Sequence, residues 1–276
     1  MSKCKITCIC HEKGGTGKTT TAVSLGVGLV RQGKKVLLVD ADPQGDLSKC
    51  LGIENPHGLD VKQTLSAAMN GIISQNPINP ASVIQRHNEG VDFIPGNSEL
   101  AATEVTLVNA MDREYVLQEF LETVKNDYQH ILIDCRPSLG LTVINALTAA
   151  NSVIIPVQAH TLAADDMDGL FKTVGRIRIR KNPGLKIDGI VMTMVDGRTN
   201  LARQTIRNVR ERYGQIVRVF ATEIPYAVRA AEVPGKGQSI FAYDPYGKVA
   251  KAYGQLTREM MNIENRNRQD RNHDAR

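Results

Sequence analysis

An apolar run, a glycine-rich loop and a buried helix follow one another over residues 6–30, and this succession restricts the fold more than anything else in the chain. Residues 6–10 have the length of a short buried strand, and 22–30 read as a buried helix. Between them stands Lys13-Gly14-Gly15-Thr16-Gly17-Lys18-Thr19-Thr20. Glycines accept positive φ and carry no Cβ, so the backbone can wrap closely around an anion. Successive N–H groups then point inward, and the helix N-terminus adds partial positive charge. In such a loop Lys18 reaches the β/γ-phosphates and Thr19 ligates Mg²⁺. Gly14, Gly15, Thr16, Gly17, Lys18, Thr19 and Thr20 are therefore the expected phosphate contacts. The strict pattern G-x-x-x-x-G-K-[ST] is broken at its first position, which is Glu12, and a second lysine, Lys13, stands at the loop entrance. A plain turn between strand and helix gives Gly-Lys-Thr-Thr no reason to be there.

The chain has 276 residues, enough for one large α/β domain. With aromatics at 4% and no Trp, its core must rest on Val, Ile, Leu, Ala and Met, which suits parallel strands buried on both faces. A net charge of +5 permits an anionic partner without identifying one. The five cysteines are odd in number and contain no C-x-x-C, which argues against a disulfide framework or zinc and for a cytoplasmic setting. No signal peptide and no run long enough to span a bilayer is visible, so no membrane partner is expected.

Apolar runs at 36–40, 91–94, 130–134, 152–157 and 187–194 read as further strands. Helices are expected over 47–51, 61–69, 112–125, 162–181, 200–212 and 244–262, with a loop at 71–80. Strands alternating with helices give a doubly wound, mostly parallel sheet with helices on both faces. One domain over 1–262 is expected, followed by a polar, disordered tail over 263–276. Ligands in such sheets bind beyond the carboxyl ends of the strands. Asp40 and Asp42, in Asp40-Ala41-Asp42-Pro43-Gln44-Gly45, emerge there. Alone they read as turn carboxylates; beside the phosphate loop they read as part of its site. Asp134 ends an apolar strand, where an aspartate holds magnesium through a water. Arg203, Arg207 and Arg210 stand at i, i+4 and i+7 and line one helix face.

The deviant loop with Lys13, the segment Asp40 to Gly45, Asp134-Cys135-Arg136-Pro137-Ser138-Leu139-Gly140, Met194-Val195-Asp196-Gly197-Arg198-Thr199-Asn200-Leu201 and Glu223-Ile224-Pro225 together resemble the ParA/Soj partition ATPases of the ParA/MinD class. The resemblance covers about residues 4–262. It implies a P-loop ATPase that binds ATP and Mg²⁺ and dimerises around two nucleotides, with Lys13 reaching the partner subunit's phosphates. It implies that Asp42 activates the attacking water, that Asp40 lies close to the magnesium shell, and that Met194 and Pro225 contact the nucleotide. The family's adenine-contacting asparagine is replaced here by Ala227, and its first proline after Asp134 by Arg136; what Arg136 touches is left open. The resemblance further implies nonspecific binding of double-stranded DNA in the ATP state, through Arg198, Arg203, Arg207, Arg210 and Arg229. Release would follow hydrolysis stimulated by a ParB-like protein, and the location would be cytoplasmic, on the nucleoid. A solvated basic helix face is the plainer reading of those arginines.

Three other readings stay open. A MinD-like positioning ATPase needs an amphipathic C-terminal helix, and 264–276 show no apolar face. An iron–sulfur relative needs paired cluster cysteines, and only Cys135 follows the Asp134 strand. A nucleotide-gated regulator with incidental hydrolysis shares every motif. Because the phosphate-loop strand opens the chain, no preceding operator-binding domain is expected.

Overall fold

Each apolar run expected to form a strand does so. The computed structural model describes residues 4–159 and 167–274. The strands are β1 (Lys5–Ile9), β2 (Val36–Ala41), β3 (Gln85–Arg86), β4 (Asp92–Ile94), β5 (His130–Cys135), β6 (Ser152–Gln158) and β7 (Lys186–Thr193). They form one sheet of order β3-β4-β2-β5-β1-β6-β7, parallel throughout except for the short β3 edge. The helices are α1 (Lys18–Val30), α2 (Asp46–Cys50), α3 (Leu65–Ile73), α4 (Glu99–Val108), α5 (Val116–Val124), α6 (Leu141–Ala149), α7 (Asp168–Arg180), α8 (Asn200–Tyr213), α9 (Val228–Glu232), α10 (Ile240–Tyr243) and α11 (Lys248–Asp274).

Side chains alternate across each strand, and both faces are covered. On β2, Leu37 and Val39 join the core under α3 to α8, while Val36 and Leu38 join the core under α1, α2, α10 and α11. A central strand buried on both faces must be apolar at every position, which is why these strands read as runs and not as alternations. The register sets the level of the strand tips. β5 lies between β1 and β2, with Asp134 opposite Ile9 on one side and Asp40 on the other. The loops after these three strands therefore open side by side at one sheet edge.

Several boundaries differ from expectation. The helix expected over 61–69 is a 3₁₀ turn at Val61–Gln63 and then α3, which runs on into the stretch expected to be loop. The helix expected from 112 begins at Val116, since Asp112 takes φ 48° in a turn. The beginning of the helix expected over 162–181 lies outside the described residues. The closing helix starts at Lys248 and continues past 262 to Asp274, through most of the stretch expected to be disordered. Glu264 gives a physical reason: it is buried and accepts from Lys5 Nζ at 3.0 Å, and the same lysine donates to Asp188 at 2.5 Å. The helix is thus docked onto the start of β1. No described helix is long and apolar enough to cross a membrane.

Candidate functional site

Where β1 ends, the chain turns through residues 10–17 and enters α1. Gly15 and Gly17 have φ of 74° and 84°, so the loop needs left-handed backbone where a side chain would be strained. Gly17 is the N-cap of α1, and the free amides of the helix's first turn point into the loop. The Thr193 hydroxyl, at the end of β7, donates to Thr16 O at 2.8 Å and pins the loop to the sheet.

Lys18 is buried, and its Nζ donates to Lys13 O at 2.9 Å. Burial pulls the Lys18 ammonium pKa down, and the charges of Asp134 and then Asp42 oppose this. Those three side chains therefore lie within electrostatic reach of one another. Lys13 itself is exposed at the mouth of the loop, its N–H donating to His11 Nδ1 at 2.9 Å.

The two acids paired across β2 and β5 have different surroundings. Asp40 is fully buried, yet its Oδ2 accepts from Ser48 Oγ at 2.6 Å and Ser48 N at 2.9 Å, and its Oδ1 from Asp42 N at 3.3 Å. Burial pushes its pKa up to about 6 against those hydrogen bonds. Asp134 is as deeply buried and neither of its oxygens has a well-formed hydrogen bond. Burial and then the charge of Asp40 raise its pKa well above the usual range, eased by the nearby Thr19 hydroxyl and, less, by Lys18. Asp42 is half-buried at the site's rim, where its Oδ1 accepts from Gln44 N at 3.0 Å. The Thr16 hydroxyl is buried without a partner. This donor set fits a hard cation beside a phosphate: carboxylate and hydroxyl oxygens on one side, loop amides and an ammonium on the other.

Beside the loop is a cavity of about 220 Å³, lined by Gly17, Thr20, Met194, Pro225, Ala227 and Tyr253 among others. Met194 takes φ 52°, rare for a residue with a side chain. It is held there because Val195 N donates to Ile224 O at 2.9 Å and Tyr226 N to Val195 O at 3.0 Å. Its Cε lies 3.8 Å from where a Gly17 Cβ would be. The site thus brings together Lys13 to Thr20, Asp40, Asp42, Asp134, Met194 and Pro225. Sequence reasoning missed Thr193, Tyr226 and Tyr253. The strand-end rule could have found Thr193; nothing in the sequence places Tyr253, of α11, next to the loop.

The arginines differ in their partners. Arg198 pairs with Asp196 at 2.8 Å, and Arg229 with Asp244 at 3.2 Å. Arg210 pairs with Glu223 at 3.3 Å and also donates to Phe220 O. Arg203 and Arg207 are exposed on α8 with no ion pair among the described residues. Arg136 does have a partner: its Nη1 donates to Glu104 Oε2 of α4 at 2.7 Å.

A family model described as an AAA domain matches residues 4–187. The sporulation initiation inhibitor protein Soj of Bacillus subtilis is 42% identical over 93% of this chain and 98% of its own length. The chromosome partitioning protein ParA of Caulobacter vibrioides is 37% identical over 94% of this chain and 95% of its own. Among solved structures, a cobyrinic acid a,c-diamide synthase from Mycobacterium smegmatis with bound ADP and magnesium superposes with a TM-score of 0.79. It is 33% identical and covers 92% of each chain.

Proposed function

The chain belongs to the ParA/Soj family of P-loop ATPases, and we propose that it is a dimerising ATPase of DNA partitioning, which binds DNA nonspecifically in its ATP state. The observation that carries this reading is the β1-β5-β2 register, which gathers Lys18, Asp134 and Asp42 at one sheet edge. The loop amides of residues 14–20 would cradle the phosphates. Lys18 would give up Lys13 O and turn its ammonium to the β/γ-phosphates. Thr19 and Asp134 would hold magnesium, and Asp40, whose oxygens already serve Ser48, would support them from behind. Held there, magnesium would supply positive charge to offset the negative charge of the phosphates during transfer. Asp42, at the rim, would accept a hydrogen bond from the attacking water and hold it in line. Met194 and Pro225 would flank the adenine, with Ala227 leaving the base without a side-chain hydrogen bond there.

Lys13 is exposed at the loop mouth, as a residue that serves a second subunit has to be. A lysine acting in trans couples nucleotide binding to dimerisation. Dimerisation doubles the number of arginine faces offered to a duplex, which steepens the salt dependence of binding. A ParB-like activator would end the bound state by stimulating hydrolysis, with the protein cytoplasmic and on the nucleoid.

Asp42→Ala tests the chemistry. It should bind ATP and dimerise by light scattering while turnover falls at least about a hundredfold, the size expected for losing a water-positioning group. Turnover at the wild-type rate would remove Asp42 from its role. Lys13→Ala should bind ATP and stay monomeric.

A further inference from the structure

On the sheet face opposite α8, α1 and α11 touch closely. A Cβ at Gly28 would lie 2.4 Å from Thr257 Oγ1, so only glycine permits this approach. The contact brings Arg31, three residues beyond Gly28, beside Arg258, one residue beyond Thr257. A pocket of about 340 Å³ opens there, lined by Arg31, Gln32, Phe241, Lys251, Gly254 and Arg258 among others. The Arg31 guanidinium carbon sits 5.1 Å from the centroid of the Phe241 ring. From the other side, the point a Gly254 Cβ would occupy is 3.8 Å from Arg258 Nη1 and 3.9 Å from Phe241 Cε1. The Arg31 guanidinium thus packs on the ring, Arg258 and Phe241 both border Gly254, and Lys251, seven residues before Arg258, shares its helix face.

Among the described residues, no acid lines this pocket. The neighbouring acids are committed elsewhere: Asp244 accepts from Arg229, and Glu259 accepts from Ala221 N, Thr222 N and the Thr222 hydroxyl. Arg31, Lys251 and Arg258 have no ion pair among the described residues. Three exposed cations around one concavity repel one another, and an anion among them relieves that repulsion. Two planar forks and an ammonium suit an anion with several acceptor oxygens. Gln32 and Gln255 add neutral donors at the rim.

We propose that this pocket binds a phosphate-class anion, either free or as a backbone phosphate of nucleic acid. The inference does not rest on the nucleotide site, which lies elsewhere on the sheet edge. Its test turns on Gly254, where the nearest neighbours leave room for a side chain. Gly254→Glu supplies an internal counter-charge, and Gly254→Ala is its neutral control. Inorganic phosphate is titrated calorimetrically into Mg-ADP-saturated protein in low-salt chloride buffer. Wild type and Gly254→Ala should show the same saturable site. Gly254→Glu and the Arg31→Gln/Lys251→Gln/Arg258→Gln triple variant should bind at least about tenfold more weakly, as expected when charge-assisted hydrogen bonds are lost. Equal phosphate binding by all four proteins overturns the proposal.

A random-sequence duplex in a salt series separates the two sources. If the pocket takes backbone phosphate, the triple variant lowers the slope of log K against log salt by up to about 0.9 per lost contact. If the slope stands while phosphate binding is lost, the pocket serves a free anion. Because the comparison is between variants at Gly254, failure of the nucleotide reading leaves its outcome interpretable.

Discussion

Asp40 and Asp134 sit opposite each other on neighbouring strands, yet they do different work. Asp40 accepts three hydrogen bonds and organises the turn after β2 through Ser48, whose hydroxyl also accepts from Gly96 N at 3.1 Å. Asp134 is a buried carboxylate with no comparable support. Removing them should therefore have opposite effects on stability. Asp40→Ala leaves Ser48 without its acceptor and should cost about 1–3 kcal/mol, the penalty for unpairing buried polar groups, read from a urea midpoint. Asp134→Asn removes a buried, poorly compensated charge and should raise Tm while abolishing the magnesium dependence of ATP affinity. A fall in Tm for Asp134→Asn would mean that its charge is compensated in the fold. The sequence placed both acids at strand tips, but it could not tell them apart. The group that distinguishes them, Ser48, is eight residues along the chain from Asp40. Arg136 was opaque for the same reason, since its partner Glu104 precedes it by a whole α/β unit.

At the scale of elements, α8 shows how far periodicity reaches. The helix was legible over 200–212, and its cap is Thr199, whose hydroxyl accepts from Ala202 N at 3.2 Å. The arginine face was legible too, but not the acids that meet it from elsewhere. Glu223 and the Phe220 carbonyl hold Arg210 against the fold, leaving Arg203 and Arg207 as the cations of that face with no ion pair among the described residues. Replacing both with Ala should flatten the salt slope of DNA binding by about 1.8, at roughly 0.9 per phosphate contact, without loss of stability. Arg210→Ala should instead lower stability by about 1 kcal/mol, the usual size for a partly exposed ion pair with a backbone hydrogen bond. Arg198 offers a third case. Its hydrogen bonds hold the Asp196 carboxyl down to about 2, below the usual 3.8. A depressed folded value means that the pair's contribution is present above about pH 4 and is lost only as pH falls toward 2. The pair therefore does not titrate between pH 5 and 9, and Asp196→Asn should tighten DNA binding equally across that range in fluorescence anisotropy. α4 escaped notice because only Leu100, Thr103 and Leu107 of it are buried, while exposed Val105 and Val108 blur the period.

Across the whole molecule, the sheet was legible because strands buried on both faces leave continuous apolar runs. The phosphate loop was legible because its chemistry demands particular residues in a row. What could not be read were the long-range closures. Glu264 docks onto Lys5, Tyr253 reaches the Thr21 hydroxyl at 3.1 Å, and α11 completes one wall of the cavity beside the loop. Each joins residues more than 200 positions apart, and no local pattern announces them. For the whole molecule, we propose that nucleotide state sets DNA affinity by closing two copies around ATP. It is tested most directly by binding to a random-sequence duplex with ATP, with ADP and with no nucleotide, using wild type, Lys18→Ala and Arg203→Ala/Arg207→Ala. The expected result is tight binding only with ATP, absent in Lys18→Ala and weakened in the double variant. Equal binding in all three nucleotide states would contradict the claim and leave the arginines as a basic surface with no switch behind it.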